Sequence, residues 1–419
     1  MNPINLPPSP GAPLPSLTPT LTGAPSAPTK SPFPELTPDL NQVKTPLQHA
    51  LDLGPLPWDP PAGKAPAPEA AFTERPQFKQ LSQEDQATLE AFFKAGSDGA
   101  DAKAAGRMAK QIGQLLQQGK LSERDAFGKD VMDHLEAFNQ ASLNGDVQKL
   151  ANKGQIARDL VRALANPASL GQGKNTANCA EATLESTLAY SQPADYARIA
   201  VELATTGTAS IPGPPQGPHP DKVELNLMGD AAGRSPLSFM MQRSFKASVD
   251  ERSGIWLTIK NFFGVQDTDK GLNANEVKML YDGIIGRDHV TVYADPGVDL
   301  LPAIEQVLER TTTNAIKATL KAESGLHAVA ITSVSEEGVT IWDPATSKTD
   351  VLPKDLFNQL LVRATFDRDA MLKPTGKPEV KEAQNFVRQS EASGGSAALG
   401  AQAQLEEGGG RLGGGGRQG

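Results

Sequence analysis

Apolar residues recur at helical spacing in four successive segments between Ser82 and Leu164. Leu89, Phe92 and Phe93 share one side of the run from Gln83 to Phe93 that Ser82 begins. Met108, Ile112, Leu115 and Leu116 line a second helix, Asp101 to Gln118, which Gly119 closes. Ser122 is expected to open a third, with Glu123 and Asp125 in its first turn and Val131, Leu135 and Phe138 as its stripe. Asp146 opens a fourth, with Leu150, Ile156, Leu160, Val161 and Leu164 at its apolar positions; Asn166-Pro167 stops it. Together these read as a helical subdomain, scaffold or docking surface.

From Gly171 the texture changes. A Gly/Asn-rich loop, Gly171 to Asn178, runs into Cys179 and a helix from Ala180 to Tyr190; another helix, Ala194 to Thr205, follows Pro193. Beyond the Pro/Gly loop Ile211 to Pro220, Leu225 to Leu227 reads as a short strand. Helices follow at Pro236 to Val249, Asn273 to Ile284 and Leu300 to Thr311, with a strand at Val290 to Tyr293. Two β-branched runs, His327 to Val334 and Val339 to Asp343, flank a turn ending in Gly338, which is a hairpin signal. Pro353 to Leu361 reads as a closing helix. Helices first and an antiparallel sheet last is the α+β pattern.

The ends carry no such periodicity. Residues 1–75 hold most of the 34 prolines, and the stretch from Gly394 to Gly419 is Gly-rich. Neither has the apolar surface to offset the entropy of ordering, so both are expected to be disordered. The expected organisation is a leader (1–75), a helical subdomain (76–168), an α+β domain (169–370), and a C-terminal helix and tail (371–419). Aromatics make up only 5% of the chain, so the core must be mainly aliphatic.

Net charge is −9 and no Lys/Arg cluster stands out, which argues against a nucleic-acid or anionic-membrane partner. No run approaches the ~20 apolar residues needed to span a bilayer. Met1 to Pro13 lacks a basic region followed by an apolar run. The expected location is therefore the cytoplasm, or outside the cell without a conventional signal peptide. The tails fit a delivered protein such as a bacterial secreted effector.

A single cysteine excludes an intramolecular disulfide and a thiolate zinc cluster, and no cofactor or metal is expected. A lone cysteine is usually a small buried hydrophobe. Cys179, however, follows a flexible loop and opens a helix, with Asn178 or Thr176 as N-cap. The unpaired N–H groups there stabilise a thiolate, and Glu181 opposes this if it points inward. His327 begins the first hairpin strand and Asp343 ends the second, sixteen positions later. The ends of a tight antiparallel pair lie side by side, so a carboxylate can hold the imidazole there. Taken singly, His327 is an ordinary strand-end histidine and Asp343 a turn former before Pro344; taken with Cys179 they form a nucleophile, base and orienting group. Gln172, seven residues before Cys179, is the candidate oxyanion donor beside the Cys179 N–H, with Asn175 and Asn178 as competitors.

With Gln172, Cys179, His327 and Asp343 in that order, the chain resembles papain-like cysteine peptidases. Gly325-Leu326-His327-Ala328-Val329, Trp342-Asp343-Pro344 and the later Leu352-Pro353-Lys354-Asp355-Leu356-Phe357 are most similar in order to the bacterial double-glycine-leader (bacteriocin-processing) type. The resemblance covers about residues 170–365. It implies a papain-like fold, a nucleophile helix packed on an antiparallel sheet, and cleavage of an amide in a protein or peptide substrate. Packing of that kind would set Leu184 and Leu188 against Val329, Ile331 or Ile341. Ala180 stands where those peptidases often carry Gly, and a long inserted region separates Cys179 from His327. Glutamine deamidation or transglutaminase-like acyl transfer uses the same three residues, and a non-catalytic binding module can keep the fold.

Other signals are weaker. Asp267 to Gly271 begins like a calcium loop but has Gly one place early and no Glu at the twelfth position. His289, beside Asp288, reads as a solvated loop residue without a later Asp on a paired strand. His134, on a helix, and His219, in a Pro-rich loop, have no partner nearby in sequence. Oligomeric state has no sequence signal.

Overall fold

The computed structural model describes residues 69–174, 176–213, 220–229, 231–250, 272–294, 299–311, 315–322 and 325–392. The Pro-rich residues 1–68, Asn175, His219, the Asp267–Gly271 loop and the Gly-rich stretch from Gly394 lie outside them.

The described chain opens with a helical region. Its helices are α1 (Ala70–Thr73), α2 (Pro76–Lys79), α3 (Gln83–Ser97), α4 (Ala102–Gln118), α5 (Val131–Gln140), α6 (Gly145–Leu150) and α7 (Lys153–Ala165). Helix α1 falls inside the stretch expected to be unpatterned, and Phe72 there is fully buried against Phe78 and Phe93. Ser82 and Asp101 cap α3 and α4 as their sequences imply, each accepting a backbone N–H of the first turn. The third helix starts later than expected. Ser122 closes a short 3₁₀ turn, and a capping box of Asp130 with Asp133 opens α5. The fourth segment is two helices, because Asn152 caps a new start after the extended Ala151.

Next come α8 (Cys179–Ser191), α9 (Pro193–Thr206), a two-stranded ribbon of β1 (Thr208–Ser210) and β2 (Lys222–Glu224), α10 (Pro236–Asp250) and α11 (Ala274–Ile285). The short strand thus precedes the expected Leu225–Leu227. The rest comprises β3 (His289–Tyr293), α12 (Leu301–Arg310), β4 (Ile316–Ala322), β5 (Gly325–Val334), β6 (Val339–Asp343), β7 (Lys348–Leu352), α13 (Lys354–Leu360), β8 (Leu361–Asp367), α14 (Arg368–Leu372) and α15 (Pro378–Ala392). Six strands form one antiparallel sheet in the order β3-β8-β4-β5-β6-β7. The α+β reading holds at this level. The helix from Pro353 does not close the fold, since β8 returns to the sheet between β3 and β4.

The two sheet faces differ, as the two-residue period of strands requires. Val329, Ile331, Ile341, Ile316, Ala318 and Phe366 join Ile304, Val307 and Val387 of the covering helices in one core. The opposite face meets α8, and Ala328 belongs there to the helical core with Leu184 and Leu188. The expected packing of Leu184 and Leu188 on Val329, Ile331 or Ile341 is therefore wrong by one residue of strand parity. Around Ala328 the facing positions are small or polar. Thr319 lies opposite Ala328, and Lys317 lies opposite Ala330 and Thr365. Small side chains let the helix approach closely, which brings its first residue to the start of β5. Among the described residues no helix is long and apolar enough to cross a membrane.

Candidate active site

Cys179 is the first residue of α8. Asn178 occupies the N-cap but makes no side-chain cap bond, and the Thr176 hydroxyl donates instead to Gln172 O at 2.5 Å. Neither side chain caps α8, unlike the Ser82, Asp101, Asp130 and Asn152 caps of the helical region. The N-terminal end of a helix carries partial positive charge, and the sulfur sits at that end. The thiol is half-buried, and the Ala328 backbone N–H donates to Cys179 Sγ at 3.4 Å. That donor from the start of β5 escaped the sequence reading, because a backbone N–H has no signature.

His327 precedes Ala328 on β5. Its Nε2 lies 2.6 Å from Asp343 Oδ1, and Cys179 is close enough to raise the proton affinity of the ring. With Nε2 on the carboxylate, Nδ1 is the ring nitrogen left for a second partner. Asp343 is held in turn by the Ala345 N–H at 2.8 Å and the Thr346 hydroxyl at 3.1 Å. Burial disfavours the imidazolium, but hydrogen bonds to Asp343 and Cys179 outweigh it, and His327 is pushed up to about 9. Burial likewise penalises the Asp343 carboxylate, yet the bonds from His327, Ala345 and Thr346 leave it below the usual carboxylate value. The carboxylate thus favours the protonated form of the ring.

The pairing of His327 with Asp343 depends on an irregularity. Near the turn the register is Val334 to Val339 and Ser333 to Thr340; past it, Ile331 faces Ile341 and Ala330 faces Trp342. Thr332 is thus one extra residue in β5, a bulge. Without it Asp343 would continue the ladder opposite Ala330, on the other face from His327. With it Asp343 falls beside Val329, diagonal to His327 and on the same face.

Gln172 reaches the same neighbourhood through its backbone, its N–H donating to Pro344 O at 2.9 Å. Its side-chain Nε2 donates to Thr176 O at 3.2 Å, so the amide folds over the loop that precedes the thiol. Asn178 is buried beside Cys179.

Two charged residues behind the thiol escaped notice as site members or were weighed only in part. Glu181, in the first turn of α8, is fully buried, so it does point inward. Across from it on β4, buried Lys317 feels both Cys179 and Glu181; burial and neighbouring Arg363 nevertheless bring its ammonium down to about 7. The alternation Ile316-Lys317-Ala318-Thr319-Leu320 would set Lys317 on a solvated strand face, so its burial has no signal in the sequence. A cavity of about 20 Å³ lies deeper, lined in part by Thr187, Tyr281, His289 and Lys317. It has room for about one water and none for a substrate side chain.

The chain matches no protein-family model and no curated protein. The site must therefore be read from its own geometry.

The remaining histidines need two corrections. His289 is buried at the start of β3, not in a solvated loop. Its Nδ1 lies 3.1 Å from Asp282 Oδ1, and Asp367 on β8 stands opposite it. His134 does have a partner, Asp125, at 3.0 Å; Asp125 belongs to a buried turn and not to a first helical turn. Among the described residues no cluster of ligands suits a metal ion.

Proposed function

We propose that the chain is a papain-like thiol hydrolase that cleaves an amide or peptide bond of a protein or peptide substrate. Cys179 is the nucleophile, His327 the acid and base, and Asp343 the orienting group. The observation that carries the reading is the convergence at the start of β5, where His327 meets the Asp343 carboxylate at 2.6 Å and the N–H of the next residue, Ala328, reaches the Cys179 sulfur at 3.4 Å. Nothing local in the sequence forces a helix start and a strand start so far apart to meet. The thiolate attacks the carbonyl carbon, and the oxyanion takes the Cys179 N–H and the second Gln172 amide proton. His327 protonates the departing amine, leaving a thioester. Water then attacks with His327 as base, releasing the acid and restoring the thiol.

The test is alkylation of the full chain by iodoacetamide, followed by intact mass, together with incubation on a peptide pool. The wild-type protein should alkylate at Cys179 at pH 6, and His327→Ala should slow this at least tenfold. New amino termini in the pool support hydrolysis of peptide bonds, whereas ammonia release without them replaces it with deamidation. Equal alkylation of wild type and His327→Ala overturns the reading.

A further inference from the structure

The peptide unit joining Gly171 to Gln172 is pinned at both ends. Its carbonyl, Gly171 O, accepts from Gln242 Nε2 of α10 at 2.9 Å. Its N–H, on Gln172, donates to Pro344 O at 2.9 Å, one residue past Asp343. A peptide group is planar, so two bonds at opposite ends set its orientation. The next residues are held as well. Lys174 N–H donates to Ala232 O at 2.8 Å, and Gly173 is left-handed, at φ +85°, where an added Cβ would lie 3.0 Å from that same oxygen. Only glycine is at ease there.

Gln242 is itself saturated. It is fully buried, its second N–H donates to Glu185 Oε2 at 2.8 Å, and its Oε1 accepts from Arg234 Nη1 at 3.0 Å. Glu185, fully buried in α8 two turns after Cys179, also accepts from Ser238 Oγ at 2.6 Å and Tyr196 OH at 3.1 Å. The helix that carries the thiol is thereby linked through one amide to the loop that carries Gln172. A purely packing role for position 242 needs no amide, and a buried polar group is costly unless every bond is made.

We propose that Gln242 is a positioning residue for the hydrolase reaction: by fixing the Gly171–Gln172 peptide plane it aims the Gln172 amide at the oxyanion formed over Cys179. The inference rests on the thiol-hydrolase reading above. Gln242 acts through Gln172 and touches no substrate.

Two reagents separate this role from the triad. With p-nitrophenyl acetate the Cys179 thiolate forms a C–S bond at the carbonyl carbon, and the π pair moves to oxygen as an oxyanion. Collapse expels p-nitrophenolate and leaves the acetyl thioester. Iodoacetamide is attacked at a saturated carbon with loss of iodide, so no oxyanion forms. In the full chain, Gln242→Met should lower acylation about tenfold or more while alkylation stays within about twofold. Gln172→Ala should do the same, and the double variant should lose no more than Gln172→Ala alone. Gln242→Asn keeps an amide in the pocket but cannot span both acceptors; it carries the test if the methionine variant fails to fold. An unchanged ratio of acylation to alkylation in the Gln242 variants, or losses that multiply in the double variant, overturns the proposal. Wild-type alkylation no faster than that of His327→Ala overturns the hydrolase reading instead.

Discussion

His134 and His327 each meet an aspartate through Nε2, at 3.0 Å from Asp125 and 2.6 Å from Asp343, yet their proton affinities move in opposite directions. Around His134 burial dominates, and the attraction of Asp125 is partly cancelled by the Arg198 cation, so the imidazole is driven below its ordinary value. Asp125 also receives Arg198 Nε at 3.2 Å, and the pair is sealed, with side-chain exposures of 6% and 0%. Around His327 burial also opposes charge, but Asp343 and Cys179 act on the ring and bring it to about 9. His327 and Asp343 keep 22% and 19% of their side-chain surface, enough for a reactant to approach. A histidine–aspartate pair therefore marks no site by itself. The third partner, the Arg198 cation in one case and Cys179 in the other, separates the pair whose ring is driven down from the pair whose ring is raised.

The kinetic contrast is the largest expected. His327→Ala should lower Cys179 acylation by p-nitrophenyl acetate on the order of 10²–10⁴-fold, whereas His134→Gln should leave the rate per folded molecule unchanged. A His134→Gln rate under a tenth of wild type would break the comparison.

Stability should rank the pairs in the opposite order. Asp125→Ala leaves buried His134 without its carboxylate and takes one of three from Arg198, which keeps Asp195 and Glu202, and should cost about 3–5 kcal/mol in urea unfolding. Asp343→Ala leaves a histidine that water can reach and should cost about 1–2 kcal/mol. Similar losses for the two would mean that solvent access does not distinguish them.

A smaller effect lies in the alkaline limb of the acylation profile. The imidazolium persists in the wild type up to about pH 9. Asp343→Asn removes a charge that holds the proton, and the limb should move down toward the ordinary value of ~6.5. A limb that stays in place assigns the high value to some group other than the pair.

The smallest signals are the slopes of stability against pH. His327 binds its proton more tightly when folded than when unfolded. Its stabilisation is thus full below ~6.5 and is lost as pH rises through about 9. His134 binds its proton less tightly when folded, so its contribution is intact above ~6.5 and erodes as pH falls below that. Chemical unfolding across pH should show His327→Gln flattening the alkaline slope and His134→Gln the acidic one.

Helix starts with strong caps were legible from local chemistry, as at Ser82 and Asp101. They failed where two starts competed, since Ser122 yielded to Asp130 with its reciprocal Asp133 bonds. Strands β4 and β8 went unseen although Ile316 to Ala322 and Arg363 to Asp367 alternate polar and apolar residues; alternation implies a solvated polar face, whereas Lys317, Thr319, Arg363 and Thr365 are all interior. The link from His289 to Asp367 was hidden for the same reason, since it needs β8 beside β3.

Composition and order along the chain by themselves determined the α+β arrangement, the hairpin of β5 and β6, and the candidacy of Cys179, His327, Asp343 and Gln172. Each of those follows from short-range pattern or from the scarcity of a residue type. The tertiary structure decided what an antiparallel spacing of sixteen residues means. A regular ladder from the turn would have turned Asp343 away from His327, and the bulge at Thr332 reverses that. It also decided that α8 lies on the polar face of the sheet, near enough for Ala328 N–H to reach the sulfur. The reason is geometric: strand parity changes sign with one inserted residue, and no local propensity says on which strand the insertion will fall.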